Sequence, residues 1–284
     1  MSANLPLKAL AIKDWLQGAA SQLANAGITS TRLDAEIILS HTLRQSRTYI
    51  HAHDDELLSD RQREIADARL QLRLDRTPIA YIVGHKEFYG RLFKVNPATL
   101  IPRPESEDII TILKELTAQT AINLDNAPKR LVDVGTGSGC LGISAKLEIP
   151  ELDVTLLDIS RQALKVAETN AMQLHANVRL TKSDLLLSYP FLADYILANL
   201  PYVDPEWERS PETNYEPALA LFAPDEGLAL INKLIQQAPL HLNPSGYMLL
   251  EADPRQHAAI IKAAKQSQFT HCETRGFIIL LQKL

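Results

Sequence analysis

The sequence contains little cysteine and no long apolar run. Its two cysteines, Cys140 and Cys272, do not have the spacing of metal ligands, which predicts buried thiols in a cytoplasmic protein. No stretch approaches the roughly eighteen apolar residues that a membrane helix needs. The segment from Met1 to Pro6 has no basic region leading into an apolar one, so we expect neither a signal peptide nor a membrane segment.

The sequence also has fewer basic than acidic residues. The 284 residues carry 29 lysines and arginines against 34 acidic residues, a net charge of -5 with an isoelectric point near 5.9. This balance argues against a broad phosphate-binding surface and favours a protein partner or a small substrate over bulk DNA. With 46% hydrophobic and 22% charged residues, the chain is typical of a globular protein with one large core or two modest ones.

The front part of the chain, to about residue 84, predicts helices without strands. Apolar residues recur at helical spacing from Ile12 to Ala26 and from Ala35 to Leu43, and the charged segment Ser59 to Asp75 also favours a helix. Aromatic and β-branched residues then flank Gly90, which predicts a β-hairpin. We therefore expect a small helical domain over residues 1–84, joined by a hairpin connector over residues 85–102 to a second domain over residues 103–284.

The start of that second domain is a proline-punctuated segment, Leu100–Ile101–Pro102–Arg103–Pro104–Glu105–Ser106–Glu107. Each proline biases the residue before it toward extended geometry, so the segment is stiff where it enters a helix predicted from Asp108 to Leu116. Arg103 lies between two prolines, and its backbone is therefore held in place. We expect its side chain either to pair with Glu107 or to contact the substrate.

Strand and helix patterns alternate from Lys129 onward. Near-continuous apolar runs separated by helical segments imply a parallel sheet covered on both faces. Ligands in such sheets bind beyond the carboxyl ends of the strands. The predicted strands are Leu131–Val134, Val154–Leu157, Val178–Thr181, Tyr195–Ala198, Tyr247–Glu251 and Phe277–Leu281, and the predicted helices lie near Cys140–Leu147, Ser160–Leu174, Glu226–Gln237 and Pro254–Gln266.

A glycine loop, Gly135–Thr136–Gly137–Ser138–Gly139, follows the first of these strands and opens a helix. Glycines permit a tight turn and a close backbone approach, and a helix N-terminus presents free N–H groups to a carboxylate or a phosphate. Roughly twenty residues later Asp158 ends the second strand, where its carboxylate can accept both ribose hydroxyls of a cofactor. Gly137, Gly139 and Gly142 also satisfy the dinucleotide spacing, so the glycines alone do not separate NAD from S-adenosylmethionine.

Two neighbouring acids favour S-adenosylmethionine. Asp133 lies two residues before the first glycine, where it can orient the loop or the ammonium of an amino-acid moiety; the same position suits a pyrophosphate poorly. After the third strand, Asp184 can accept from an adenine amino group while Leu185 lies against the ring. The alternative is that the glycines form a structural turn and that the acids cap helices.

The tetrapeptide Asn199–Leu200–Pro201–Tyr202 leaves the buried run Tyr195–Ala198 and is the most informative feature of the chain. An amide nitrogen is a poor nucleophile, and its lone pair must be turned toward the methyl group that it attacks. The Asn199 side-chain oxygen and the Leu200 carbonyl can accept its two hydrogens. Pro201 fixes the turn, and Tyr202 stacks on the amide plane. The tetrapeptide therefore predicts methylation of a planar nitrogen, with proton loss after methyl transfer since no strong general base is visible. The alternative is a plain turn, since Asn, Pro and Tyr are common in turns.

The glycine loop, Asp158, Asp184 and the tetrapeptide together resemble class I methyltransferases that act on amide or amino nitrogens. Further segments are similar to the PrmC/HemK family, the release factor glutamine N5-methyltransferases, and the match runs nearly end to end. These segments are Pro78–Gly84, Glu87–Gly90, Ile101–Glu107 and Glu216–Leu219. The resemblance implies an α/β fold with a class I, Rossmann-like sheet carrying helices on both faces, preceded by the helical domain.

The resemblance also implies a reaction. Its substrate would be the glutamine of the Gly-Gly-Gln loop of class I peptide release factors, and its methyl donor S-adenosylmethionine, bound by Gly135–Gly139, Asp158 and Asn199. Asn199–Tyr202 would receive the glutamine, and the front domain would grip the release factor. We expect a cytoplasmic monomer that binds neither DNA nor a membrane.

Three positions depart from the family pattern. Leu200 stands where the family usually has proline, Leu185 where an aromatic residue is frequent, and Glu251–Ala252–Asp253 replaces a segment that usually carries a glycine. A backbone carbonyl survives at Leu200, so the chemistry need not be lost. The alternative functions are methylation of a ribosomal-protein glutamine, methylation of adenine N6 in nucleic acid, and a non-catalytic binding role on the same fold.

Overall fold

The structure, a computed structural model, describes residues 10–120 and 128–284. The chain divides into two compact units. The first contains Met1–Gly84 and the short segment Ser210–Tyr215, and the second contains His85–Arg209 and Glu216–Leu284.

The first unit is helical, with one very short strand pair. Its helices are α1 (Ile12–Asn25), α2 (Thr31–Leu43), α3 (Arg47–Ala52), α4 (Asp60–Leu74) and α5 (Ile79–Val83). β1 (Leu10–Ala11) pairs antiparallel with β2 (Leu57–Leu58), so the expectation of helices without strands is wrong here. Strands of two residues are too short to show the alternation by which a sequence predicts a strand.

An apolar core and a buried ion pair hold the first unit together. Trp15 and Leu16 of α1 pack with Leu39 of α2 and Leu70 of α4. The buried Arg73 donates from Nε to Asp34 Oδ2 at 2.7 Å and from Nη1 to Glu212 Oε1 at 3.1 Å. The contact with Glu212 explains why Ser210–Tyr215 belongs to this unit.

The second unit begins with the predicted hairpin, which is confirmed. β3 (His85–Phe88) pairs antiparallel with β4 (Arg91–Lys94). Tyr89 and Gly90 between them adopt φ values of 49° and 71°, and two successive positive φ angles are typical of a tight hairpin turn. The proline segment follows, and a 3-10 turn at Pro104–Ser106 leads into α6 (Glu107–Thr120).

A seven-stranded sheet forms the centre of the second unit. Its strands are β5 (Arg130–Val134), β6 (Asp153–Asp158), β7 (Arg179–Lys182), β8 (Ala193–Ala198), β9 (Leu242–Glu251), β10 (Phe269–Arg275) and β11 (Ile278–Lys283). The remaining helices are α7 (Cys140–Glu148), α8 (Arg161–Gln173), α9 (Ala218–Leu221), α10 (Ala229–Gln237) and α11 (His257–Gln266). The spatial order is β10-β11-β9-β8-β5-β6-β7.

The expectation of a parallel sheet is wrong for one strand. The pairs β5–β6, β6–β7, β5–β8 and β8–β9 are parallel, but β11 runs antiparallel to both β9 and β10. Only Gly276 and Phe277 separate β10 from β11, and such a short connection permits only an antiparallel pair. The sequence pattern also missed β10, whose apolar Phe269 is followed by mostly polar residues.

Helices cover both faces of the sheet, as predicted. Leu131 packs with Ile109 of α6 and Leu141 of α7, whereas its neighbour Val132 packs on the opposite face in one cluster with Ile231 of α10. Adjacent residues of a strand point to opposite faces, so each face acquires its own core. Within the described residues, no helix has both the length and the apolar character needed to cross a bilayer.

The two cysteines differ in exposure. Cys140 is partly buried at the start of α7, and burial raises the pKa of its thiol to about 12. Cys272 is exposed on β10, so the prediction of buried thiols is wrong for it. β10 is one of the two edge strands of the sheet, where side chains are less completely covered than on a central strand.

Candidate active site

A cavity of about 340 Å³ lies at the carboxyl ends of β5, β6 and β8. The strand order reverses there, because the chain proceeds from β5 to β6 and β7 on one side and from β8 to β9 on the other. Open α/β sheets bind ligands at such a reversal. The predicted site residues in the cavity wall are Arg103, Gly135, Thr136, Gly137, Ser138, Asp158, Asp184, Leu185, Asn199, Leu200 and Pro201, whereas Gly139 and Tyr202 lie outside it.

The glycine loop turns sharply at the floor of this cavity. Gly135, Gly137 and Gly139 adopt φ values of 74°, 55° and 83°, which side chains other than glycine rarely adopt. The N–H groups of Gly135 and Thr136 both donate to the Leu157 carbonyl at 2.9 Å and tie the loop to the end of β6. Gly139 has a packing role, since a Cβ placed on it would lie 2.7 Å from Ile143 Cδ1.

Asp133 is a buried carboxylate beneath the loop. Its Oδ2 accepts from Thr136 Oγ1 at 2.6 Å and from the Gly142 N–H at 2.9 Å, whereas Oδ1 has no hydrogen-bond partner among the described residues. Burial raises the pKa of Asp133 to about 6. A Cβ on Gly142 would lie 2.2 Å from Leu156 Cδ2, so this glycine serves close packing and the Asp133 contact.

Asp158 and Asp184 occupy the ends of the next two strands. Asp158 accepts from the Gly137 N–H at 2.9 Å and from the Ser160 N–H at 2.8 Å, and burial raises its pKa. Asp184 is half-exposed and pairs with Lys233 at 2.6 Å. The adjacent Leu185 is buried at a φ of 48°, where its side chain forms part of the cavity wall.

The tetrapeptide brings Asn199, Leu200 and Pro201 to the same cavity as the glycine loop. The Leu200 side chain is buried and packs directly against the loop. A Cβ added to Gly135 would lie only 2.9 Å from Leu200 Cδ2. Within residues 10–120 and 128–284, no N–H group donates to the Leu200 carbonyl. This carbonyl therefore retains its capacity to accept a hydrogen bond.

Glu251, a buried carboxylate behind the tetrapeptide, is a site residue that the sequence motifs do not indicate. It accepts from the Ser106 hydroxyl through Oε2 and from the Tyr202 hydroxyl through Oε1 at 3.1 Å. The Asn199 amide donates from Nδ2 to Ser106 Oγ at 3.0 Å. Burial raises the pKa of Glu251, and the hydrogen bonds from Ser106 and Tyr202 oppose that rise. The signal in the sequence is a charged residue at the end of the buried run Tyr247–Glu251.

Tyr202 is held at both its side chain and its main chain. Its hydroxyl is bound to Glu251, and burial raises its pKa. The Gln256 side-chain amide donates to the Tyr202 carbonyl at 2.8 Å and to the Glu226 carbonyl at 2.7 Å. The tyrosine predicted to stack on the substrate is thus anchored to β9 and the turn that follows it.

Arg103 pairs with Glu216, and the expected pairing with Glu107 is wrong. Arg103 Nη2 donates to Glu216 Oε1 at 2.5 Å, and the buried Glu216 also accepts from the Ile101 N–H at 3.0 Å. The 3-10 turn at Pro104–Ser106 separates Arg103 from Glu107, which instead accepts from the Tyr89 N–H at 2.8 Å. Arg103 also lines the cavity, so the expected substrate contact stays a prediction.

The strand order and the position of the cavity define a class I methyltransferase fold. The hMettl16 catalytic domain, in complex with the MAT2A 3'UTR hairpin 6, matches with a TM-score of 0.51 and 16% identity. The match covers 81% of this chain and 84% of that one. At this identity the likeness concerns the fold alone. Residues 14–84 match the PrmC N-terminal domain, and residues 114–213 match the methyltransferase small domain.

Relatives of nearly full length give the narrower classification. The release factor glutamine methyltransferase of Koribacter versatilis is 35% identical, with 86% of this chain and 89% of that protein covered. The release factor glutamine methyltransferase of Escherichia coli is 34% identical, with 92% of each chain covered. The chain belongs to the release factor glutamine methyltransferase family.

Proposed function

We propose that this protein transfers a methyl group from S-adenosylmethionine to the side-chain amide nitrogen of the glutamine in the Gly-Gly-Gln motif of class I peptide release factors. The observation that supports it most is that Asn199 and Leu200 line the same cavity as the glycine loop. Similarity to release factor glutamine methyltransferases over most of the chain supports this substrate. The helical domain over residues 1–84 would bind the release factor, and the reaction would take place in the cytoplasm.

The residues around the cavity fit S-adenosylmethionine. If a Cβ were added to Gly137, no other atom would lie within 4 Å of it. The backbone of the loop therefore faces open space that a ligand can occupy. Asp133 is fully buried beneath the cavity, where it holds the loop through Thr136 and Gly142. Asp158 reaches the cavity as a ribose acceptor, and Leu185 offers an apolar wall for adenine. When bound, the cofactor supplies the electrophilic methyl group.

The tetrapeptide makes the substrate nitrogen reactive by holding its hydrogens. The Asn199 carbonyl oxygen and the Leu200 main-chain carbonyl accept one N–H each, which directs the nitrogen lone pair away from them. Each tenfold gain in rate corresponds to about 1.4 kcal/mol, so two oriented hydrogen bonds together with proximity have the required magnitude. After transfer the nitrogen carries a positive charge and becomes acidic, and it then loses a proton without a strong base.

The proposal is tested with radiolabelled S-adenosylmethionine and a set of acceptors. The protein is incubated with a release factor, with the same factor carrying alanine in place of the loop glutamine, with ribosomal proteins and with duplex DNA. Label on the first acceptor alone supports the proposal. Label on the alanine variant refutes it, and label on ribosomal protein or DNA alone favours the corresponding alternative. Measurable cofactor binding without label on any acceptor favours a non-catalytic role.

A further inference from the structure

Glu251 sets the direction of the hydrogen bonds behind the tetrapeptide. An ionised carboxylate only accepts hydrogen bonds. The Ser106 hydroxyl, which bonds Glu251 Oε2, must therefore donate its single hydrogen to Glu251. The remaining capacity of Ser106 Oγ is that of an acceptor, and the group that reaches it at 3.0 Å is the Asn199 amide.

That direction decides which end of the Asn199 amide faces the substrate. Since Ser106 accepts, the Asn199 group that points to it must be the NH2 end. The carbonyl oxygen Oδ1 then occupies the other edge of the amide, and no described side chain or N–H group donates to it. If the Asn199 amide were turned over, its NH2 group would face the substrate N–H. Two N–H donors cannot form a hydrogen bond with each other.

We infer that Glu251 is a positioning residue which, through Ser106, fixes the Asn199 amide with its carbonyl oxygen toward the cavity. Through its second oxygen it also restrains Tyr202. The inference rests on the proposed function in one respect: the oriented carbonyl receives the N–H of the amide that is methylated. Glu251 itself does not line the cavity and is not assigned a contact with substrate.

The variant that tests this directly is Glu251→Gln. A glutamine side chain can donate to Ser106 Oγ, which allows the hydroxyl to donate to Asn199 Oδ1 and the amide to turn over. We expect kcat to fall by about tenfold or more, while the KM for the release factor and the affinity for S-adenosylmethionine change by less than about threefold. Glu168→Gln makes the same chemical change on the exposed side of α8 and is the matched control.

The pH dependence separates positioning from a purely structural role. Protonation of Glu251 creates a donor where the network needs an acceptor, so kcat should fall as the pH is lowered through the pKa of Glu251, which burial raises. The groups that face this carboxyl are the hydroxyls of Ser106 and Tyr202, which donate to it, the nearby Asn199 amide, and Glu105, which acts by charge. In Glu251→Gln the acidic fall of kcat should be absent. If kcat of Glu251→Gln still fell at acidic pH as it does in the wild type, another group would be responsible for the fall, and the inference would be overturned.

A measurement without turnover keeps this inference distinct from the proposed function. With 15N in the asparagine side chains, the Asn199 NH2 resonances are assigned by their loss in Asn199→Ala. Glu251→Gln should shift them and speed their exchange with water, and Ser106→Ala should do the same. Unmoved resonances, or an unchanged kcat, overturn the inference. If the wild-type protein methylates no release factor but the resonances move, the positioning role stands and the proposed function fails.

Discussion

The main-chain carbonyl of Tyr202 accepts a hydrogen bond from the side-chain amide of Gln256 at 2.8 Å. Gly227 faces the same carbonyl so closely that a Cβ placed on it would lie 1.9 Å from the Tyr202 oxygen. The segment before α10 is therefore pressed against the end of the tetrapeptide. A glycine is required there by space as well as by its φ of 82°.

Gly227→Ala should consequently damage both stability and activity. Alanine at this φ costs about 1–2 kcal/mol from backbone strain alone, and displacement of the Tyr202 carbonyl adds about 1–3 kcal/mol. Gly90→Ala is the matched control, because Gly90 has a φ of 71° with no atom within 4 Å of a Cβ. Urea unfolding and kcat are measured for both variants. Equal loss of stability, with kcat unchanged in each, would contradict the packing role of Gly227.

Asn199→Ala should remove methyl transfer while cofactor binding weakens only moderately. The variant loses one of the two acceptors for the substrate N–H groups, and the loss of one such oriented group typically costs about 100-fold or more in kcat. The affinity for S-adenosylmethionine is measured by calorimetry and transfer by incorporation of label. Asn177→Ala, at an exposed position, is the control. Full activity in Asn199→Ala would exclude this residue from the mechanism.

Leu200→Pro should retain activity. The chemistry requires the main-chain carbonyl of residue 200, which proline also has, and the Leu200 N–H donates to no carbonyl among the described residues. We expect kcat within about threefold of wild type, and a loss of about 1–3 kcal/mol in the free energy of unfolding because less apolar surface packs beside Gly135. A hundredfold fall in kcat with an intact fold would show that the Leu200 side chain itself takes part.

Asp133→Asn should flatten the pH dependence of stability. Burial raises the pKa of Asp133 from 3.8 to about 6, so the folded state binds more protons than the unfolded state between these values. The free energy of unfolding therefore falls as the pH rises through this window. Asparagine keeps a carbonyl oxygen for Thr136 and Gly142 and does not ionise. Urea unfolding at several pH values should give a smaller fall for the variant than for wild type, and an equal fall would contradict the assignment.

The parts of the fold and site that could be predicted from the sequence are those with a local pattern. Buried strands such as Leu131–Val134 are continuous apolar runs, and the glycine loop and the tetrapeptide each follow such a run directly. Residues after parallel strands meet at one sheet edge, so the position of the cavity follows from the sequence pattern. The hairpin around Gly90 could also be predicted, because the residues that form its turn are adjacent in the sequence.

The features that could not be predicted depend on residues far apart in the chain. Ser106 and Glu251 are 145 positions apart, and no period or spacing relates them. For Arg103 the sequence suggests a pair with the nearby Glu107 or a substrate contact, whereas its partner in the structure is Glu216, far away in the chain. The antiparallel direction of β11 follows from the two-residue connection after β10, and that strand was not recognised because its sequence is mostly polar.

The ion pair between Arg103 and Glu216 has a consequence for how the protein assembles. The two residues are 113 positions apart, and the strands β5 to β8 lie between them in the chain. Closing a loop of this length has an entropic cost that grows with the separation, so the pair depends on the folded chain between its two members. A stretch of residues 85–209 lacks Glu216 and therefore lacks this ion pair at the cavity. During synthesis, the Arg103–Glu216 ion pair at the cavity can form only after Glu216 has been added to the chain.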